Sequence, residues 1–402
     1  MDIRRPVERL HMKNQVSALA AAATSALLLA ACGSGGGSGS ADEPIVVGSI
    51  NALSGPATFP EASAAAQAVF DGVNATGGIR GRKIQYVVAD DKADPATATQ
   101  TARDIVTSKN AVAMVGGASL VDCDVNGKFY EQQKIMSIVG TGVGPGCFNS
   151  PVMAPVNAGP YLDSQMTLTF GSEKLHVKKI CAFVAITGAS KPAYQSAIDA
   201  WTKATGAKLA YIDDTVPYGN ADYTPQAVKV KEEGCDAVFA NFVEPDALGM
   251  LKAAVAQNVT GITWLFLTSV YSEQFAKAAP AGQKIYVPAE FLPFTDTNAT
   301  ANKDWRELMT KQGLALTSFS QGGYLAATYF VDILKSIKGD IDRTSVTEAL
   351  KKMAPIENAM VGTPYQFGPG NSHQPNHAGW PIVLDKGSWR NAADNWLIVD
   401  QG

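Results

Sequence analysis

From Ile45 onward, short apolar runs alternate with longer stretches whose apolar residues recur at helical spacing. Ile45 to Ile50 predicts a strand, Glu61 to Val73 an alanine-rich helix, and Lys83 to Ala89 a second strand. Asp94-Pro95 opens another helix, with an acid at the cap and proline in the first turn. Strands follow at 111–115 and 135–139, and a fresh series occupies 180–186, 208–213, 237–241, 263–267 and 284–288, with Tyr324 to Lys338 a helix beyond it. Alternation of this kind builds parallel sheets with helices on both faces, and such sheets bind ligands at the carboxyl ends of their strands. The residues that follow the strands are therefore the first candidates for chemistry. They include Asn-Ala-Leu-Ser-Gly-Pro after Ile50, Gly-Gly-Ala-Ser after Val115, and Gly-Thr-Gly-Val-Gly-Pro-Gly after Val139.

The N-terminus breaks the rhythm. Arg4, Arg5, Arg9 and Lys13 lead into an apolar stretch from Val16 to Ala31, the outline of a secretory signal peptide spanning residues 1–31. The stretch is shorter than the roughly 20 residues of a transmembrane helix. Leu29-Ala30-Ala31-Cys32 resembles the bacterial lipobox, in which cleavage precedes the cysteine and the new N-terminal thiol receives lipid. Residues 32–44 then read as a lipidated Cys32 on a flexible Gly/Ser tether. Met12 offers an alternative start with an equally complete leader.

The leader holds four of the 33 basic and two of the 37 acidic residues, so the remainder carries 29 against 35 and a mild negative charge. That balance offers no basic patch for nucleic acid. About 370 residues exceed a usual single core and predict two domains. Five cysteines would leave one odd thiol in an exported chain, unless Cys32 carries lipid and the others pair. Of the three possible patterns, Cys123 with Cys147 and Cys181 with Cys235 suits the strand order best. Cys181 and Cys235 each open a strand, and they share a sheet end if those strands are parallel neighbours. Four free buried thiols are the alternative.

Three stretches resemble the type I periplasmic-type solute-binding proteins of the leucine/isoleucine/valine-binding group. They are Gly48-Ser-Ile-Asn-Ala-Leu-Ser-Gly-Pro56, Val73-Asn-Ala-Thr-Gly-Gly-Ile-Arg-Gly-Arg-Lys-Ile84, and Asp90-Asp91 with Asp94-Pro95. The resemblance implies an α/β clamshell of two Rossmann-like lobes joined by three crossovers. One lobe would hold 45–157 and 290–362, the other 158–289 and 363–402. It also implies a monomer without cofactor that encloses a small molecule and delivers it to an ABC permease complex, here held by its lipid on the outer face of a bacterial membrane.

Carried onto this chain, the carboxylate grip of the first lobe falls on Ser119 and Leu120 and on Thr141, Gly142 and Val143. Simple N-capping is the competing role for Ser119 and Thr141. Phe59 is the aromatic expected over the cleft, unless it packs between elements. In the second lobe, the acid that amino-acid-binding members set against an ammonium falls near Ser269. The family's aromatic positions fall on Ser190 or Lys191 and on Phe242 or Val243, with Tyr194 and Tyr271 as substitutes. Lys191 could pair with an acidic ligand or simply be solvated. Glu244 and Glu290 could restore a counter-charge or form surface or hinge salt bridges. Without an acid at Ser269, an organic or aromatic acid becomes the expected solute ahead of an α-amino acid.

Other chemistry is weakly signalled. His373 and His377 are four apart, but Pro375 between them breaks the helix that a two-histidine metal site would need. Gly140, Gly142 and Gly144 only approach a dinucleotide loop, and neither a nucleophile elbow nor a P-loop occurs. Asn74, Asn258 and Asn298 head glycosylation sequons that a bacterial exporter would leave bare. Two further classes remain: a ligand-sensing lipoprotein partner of a membrane receptor, and an exported enzyme. No convergent acid-base pair argues for the enzyme.

Overall fold

The computed structural model describes residues 43–55 and 58–400. The leader, Cys32 and most of the tether lie outside the described residues. The first half runs β1 (Ile45–Asn51), α1 (Pro60–Ala75), β2 (Ile84–Asp90), α2 (Pro95–Arg103), β3 (Ala113–Val115), α3 (Asp122–Gln133), β4 (Met136–Ile138) and α4 (Pro145–Phe148). Its four strands are all parallel, in the order β2-β1-β3-β4. The second half runs α5 (Gly159–Glu173), β5 (Ile180–Phe183), α6 (Lys191–Thr205), β6 (Leu209–Asp213), α7 (Thr224–Glu233), β7 (Ala237–Ala240), α8 (Glu244–Ala256), β8 (Thr263–Leu265), α9 (Glu273–Ala278) and β9 (Lys284–Ala289). The chain then adds α10 (Lys303–Gln312), α11 (Ser318–Ser336) and α12 (Arg343–Lys352), and closes with β10 (Ala378–Asp385), β11 (Ser388–Asn391) and β12 (Leu397–Ile398). In the second sheet β6-β5-β7-β8-β9 are parallel, and β10 and β11 extend it antiparallel beyond β9.

Strand order reverses between β1 and β3 in one sheet and between β5 and β7 in the other, and those reversals are where parallel sheets open a crevice. The first sheet is backed by α1 and α11, which approach closely because small residues face each other. A side chain at Gly323 would meet the carbonyl oxygen of Ala62 at 1.8 Å, so this helix contact needs glycine. Phe70 fills the space beneath, edge-on to Tyr86 at 5.0 Å and to Phe330 at 6.5 Å. The structure joins Cys123 to Cys147 and Cys181 to Cys235, with Cα separations of 4.9 and 5.9 Å. No helix among the described residues is long and apolar enough to cross a membrane.

Two predicted elements differ most in extent. The strand expected to run to Ile186 stops at Phe183, because the Asn241 side chain occupies both backbone groups of Ala185 at 2.8 and 2.9 Å and replaces the ladder there. The helix expected from Tyr324 begins at Ser318, where Thr317 and Ser320 form a reciprocal capping box. The Gly322-Gly323 pair inside that helix hides its first turn from a propensity reading.

Candidate functional site

The loops at the carboxyl ends of both sheets converge on one cavity of about 480 Å³. From the first sheet it is walled by Phe59, Leu120 and the Thr141-Gly142-Val143 loop, from the second by Ser190, Tyr194, Val243 and Ser269. Phe59 lies 4.8 Å from Phe319 at the start of α11, so the expected aromatic both packs and lines the cavity. Tyr194 stands edge-on to Tyr161 at 4.9 Å, and nearby Tyr218 Oη donates to the carbonyl of Asn241 at 3.0 Å.

Four expected contacts are placed elsewhere. Ser119 is buried beside the sheet: its hydroxyl donates to Asp91 and accepts from the backbone of Val121 and Asp122 at 3.1 and 2.9 Å. It caps α3, because a serine two or three residues before unpaired helical N–H groups is held there more strongly than by an open cleft. Lys191 turns outward and pairs with Asp214 at 2.6 Å. Phe242 is fully buried against Tyr223, because alternation along the end of β7 turns it to the core and Val243 to the cavity. Tyr271 stacks on Phe294 at 4.1 Å, donates or accepts with Thr295 at 2.9 Å, and faces a neighbouring depression instead.

Neither Glu244 nor Glu290 forms a salt bridge among the described residues. Glu244 accepts from Ser272, and burial, with Glu61 nearby, raises its pKa. Glu290 stands at the end of β9, 2 % exposed, and accepts from Gly159 N at 2.6 Å and from Asn157 Nδ2 at 2.9 Å. Asn157 also exchanges two hydrogen bonds with the backbone of Gly142, at 2.7 and 3.1 Å. Asn376 donates to the carbonyls of Glu290 and Val156 at 2.9 and 3.3 Å. Asn157 lies between β4 and α5, Glu290 after β9, and Asn376 just before β10. These are the three places where the chain passes between the elements of the two sheets, so one hydrogen-bond network ties the crossings at the cavity floor. Gly159 completes it with φ +79°, a conformation other residues rarely adopt.

The residues missed in the sequence are mostly acids. Asp163, on the first turns of α5, is 1 % exposed, and its Oδ1 has no partner. Its other oxygen receives only Thr268 N at 3.4 Å. Burial raises the pKa of Asp163 well above the usual carboxylate range, and Glu290 nearby pushes the same way. Burial likewise raises Glu290. Asp246 accepts from Gly219 N at 2.7 Å and Tyr223 Oη at 2.5 Å, and Asp124 accepts from Gly146 N at 2.7 Å. All four acids line the cavity, whereas no lysine, arginine or histidine does among the described residues. His373 is buried in a loop, its Nδ1 2.8 Å from the carbonyls of Ser150 and Met153. No cluster of three metal-ligating side chains occurs among the described residues. The arrangement can enclose and orient a small molecule.

Comparison with known proteins agrees with this architecture. A Pseudomonas aeruginosa protein described as an amino acid binding protein is 26% identical over 300 residues, which cover 69% of this chain and 77% of that protein. The Leu/Ile/Val-binding protein of Escherichia coli K12 is 27% identical over 223 residues, 54% of this chain and 59% of that one. Among solved structures, a branched-chain amino acid transporter substrate-binding protein of Streptococcus pneumoniae, in complex with isoleucine, superposes with a TM-score of 0.74. It is 16% identical, and the superposition covers 89% of this chain and 99% of the other, a likeness of fold. A family model matches residues 44–388, and the chain belongs to the periplasmic binding protein family.

Proposed function

We propose that this protein is an extracytoplasmic solute-binding protein that captures a small organic solute between its two lobes and delivers it to an ABC importer. The observation that carries the reading is the cavity itself. Loops from the carboxyl ends of two separate parallel sheets enclose about 480 Å³, and the crossings between the sheets meet at its floor. A hinge in three short segments lets rigid lobes close over a ligand without reordering either one. The lobes divide as 45–157 with 290–362 and 158–289 with 363–402, so that Asn157, Glu290 and Asn376 sit at or near the hinge. The leader is cleaved before Cys32, which is lipidated and holds the body, as a monomer, beside its permease.

The test has two arms. Deleting the gene should abolish uptake of the solute that the purified protein binds, and restoring it should recover uptake. Uptake that persists unchanged rejects delivery to an importer. Metabolic labelling with radioactive palmitate should mark the wild-type protein and not Cys32→Ala, and equal labelling rejects the anchor.

A further inference from the structure

We infer that the captured solute is an amine without a carboxylate, its ammonium seated against Asp163 and Glu290 and its apolar or aromatic body against Phe59, Leu120 and Val243. The inference rests on the solute-binding reading above and specifies the class of ligand.

Three independent observations converge. First, the charge lining the cavity has one sign: Asp124, Asp163, Asp246 and Glu290, with no cationic side chain among the described residues. In a water-poor cleft, an anion meets four acids and no counter-charge. Second, Asp163 is buried with one oxygen unpartnered and the other held only by a long contact from Thr268. A buried carboxylate lacking a donor is expensive, and a ligand N–H supplies what the fold omits. Asp124, Asp246 and Glu290 already accept protein donors, so Asp163 is the acid left open.

Third, two backbone donors of the expected carboxylate grip are occupied inside the protein. Thr141 N bonds Gly117 O at 3.0 Å and Gly142 N bonds Asn157 Oδ1 at 2.7 Å. Val121 N, just before α3, and Asp122 N, its first, both donate to the Ser119 hydroxyl, which is itself held by Asp91. An α-amino acid would satisfy Asp163 but bring its own carboxylate among acids of like charge, with no cationic side chain lining the cavity among the described residues. A bare amine satisfies the acid and leaves nothing unpaired. Tyr161 and Tyr194 line the same cavity, and aromatic rings near an ammonium favour it further.

The test is thermal shift and titration of the purified protein with matched probes. Phenethylamine, phenylalanine and 3-phenylpropionate share one body, as do isoamylamine, leucine and isovalerate; putrescine, sugars and polyols complete the set. The amines should stabilise the protein and bind at least about 30-fold more tightly than their amino acid and acid counterparts. Asp163→Asn should weaken amine binding by about 30-fold or more, while the unliganded protein melts no lower, because a like-charged neighbour of Glu290 is removed. Glu290→Gln, which retains both acceptor bonds, should weaken the amine as well. Preferential binding of an acid, an amino acid or a neutral probe overturns the amine assignment and leaves solute capture standing. Amine binding unchanged in both variants overturns the seat. A protein that binds no member of the set rejects the solute-binding reading and the amine with it.

Discussion

Asp122→Asn should make the protein more stable at pH 8 and leave it nearly unchanged at pH 4. Asp122 is buried at the first turn of α3, where its Oδ1 accepts from Asn126 Nδ2 at 2.7 Å and Tyr130 Oη at 2.8 Å. Burial pushes its pKa up to about 6 from 3.8, helped by the charge on Asp91. A carboxyl whose folded pKa is raised contributes stability that is complete below the unfolded value and is lost as pH rises through the folded one. The shift of about 2 units corresponds to about 3 kcal/mol lost between pH 4 and 7. Asparagine keeps an acceptor oxygen for both donors and forgoes the favourable charge at a helix start, which offsets about 0.5 kcal/mol. With about 2 cal/mol/K per residue of unfolding entropy, a body of roughly 360 residues converts the net gain to about 3–4 °C. Differential scanning fluorimetry at pH 4.5, 6 and 8 measures it directly. Parallel wild-type and variant curves, or a variant that melts lower at pH 8, would refute the reasoning.

Other perturbations test separate parts. Gly159→Ala forces a side chain into φ +79° and within 2.1 Å of the Phe148 ring, so about 2–4 kcal/mol of stability should be lost in chemical denaturation. Replacing Cys181 and Cys235 together by serine opens a link spanning 54 residues and should cost about 2–4 kcal/mol in the oxidised protein, with a smaller difference, set by the two buried hydroxyls, once both forms are reduced. Lys191→Ala should leave solute affinity within about twofold by titration, since its amine pairs with Asp214 on an exposed face. A tenfold change would return Lys191 to the site.

Most of the fold was legible because parallel strands buried on both faces read as short apolar runs, and the glycines and Asp-Pro between them mark turns without ambiguity. The two largest boundary differences share a cause. Asn241 beyond β5 and Thr317 before α11 end or start elements through side-chain hydrogen bonds, one of them made to a residue 56 positions away. The cavity walls were legible where the family resemblance carries over residue by residue, as at Thr141 and Ser269, whereas the choice between Phe242 and Val243 needed the folded chain. Ser119 misled because a cap and a ligand contact ask for the same hydroxyl at the same place. Asp163 escaped because it sits in Tyr-Leu-Asp-Ser-Gln on a helix with no clear polar face, and 11 of that helix's 15 residues are buried. An acid amid Leu162, Met166, Leu168 and Phe170 is the one local signal that could have found it. Its proximity to Glu290, 127 positions later, exists only after folding.

The central claim is that one solute is held between the lobes, and titration calorimetry of the first stabilising compound tests it most directly. The wild-type protein should bind one equivalent. Leu120→Trp on one wall and Val243→Trp on the other, both partly buried and lining the same cavity, should each weaken binding at least about tenfold while the unliganded melting temperature stays within a few degrees. Unaltered affinity in both variants would place the solute elsewhere and contradict the account.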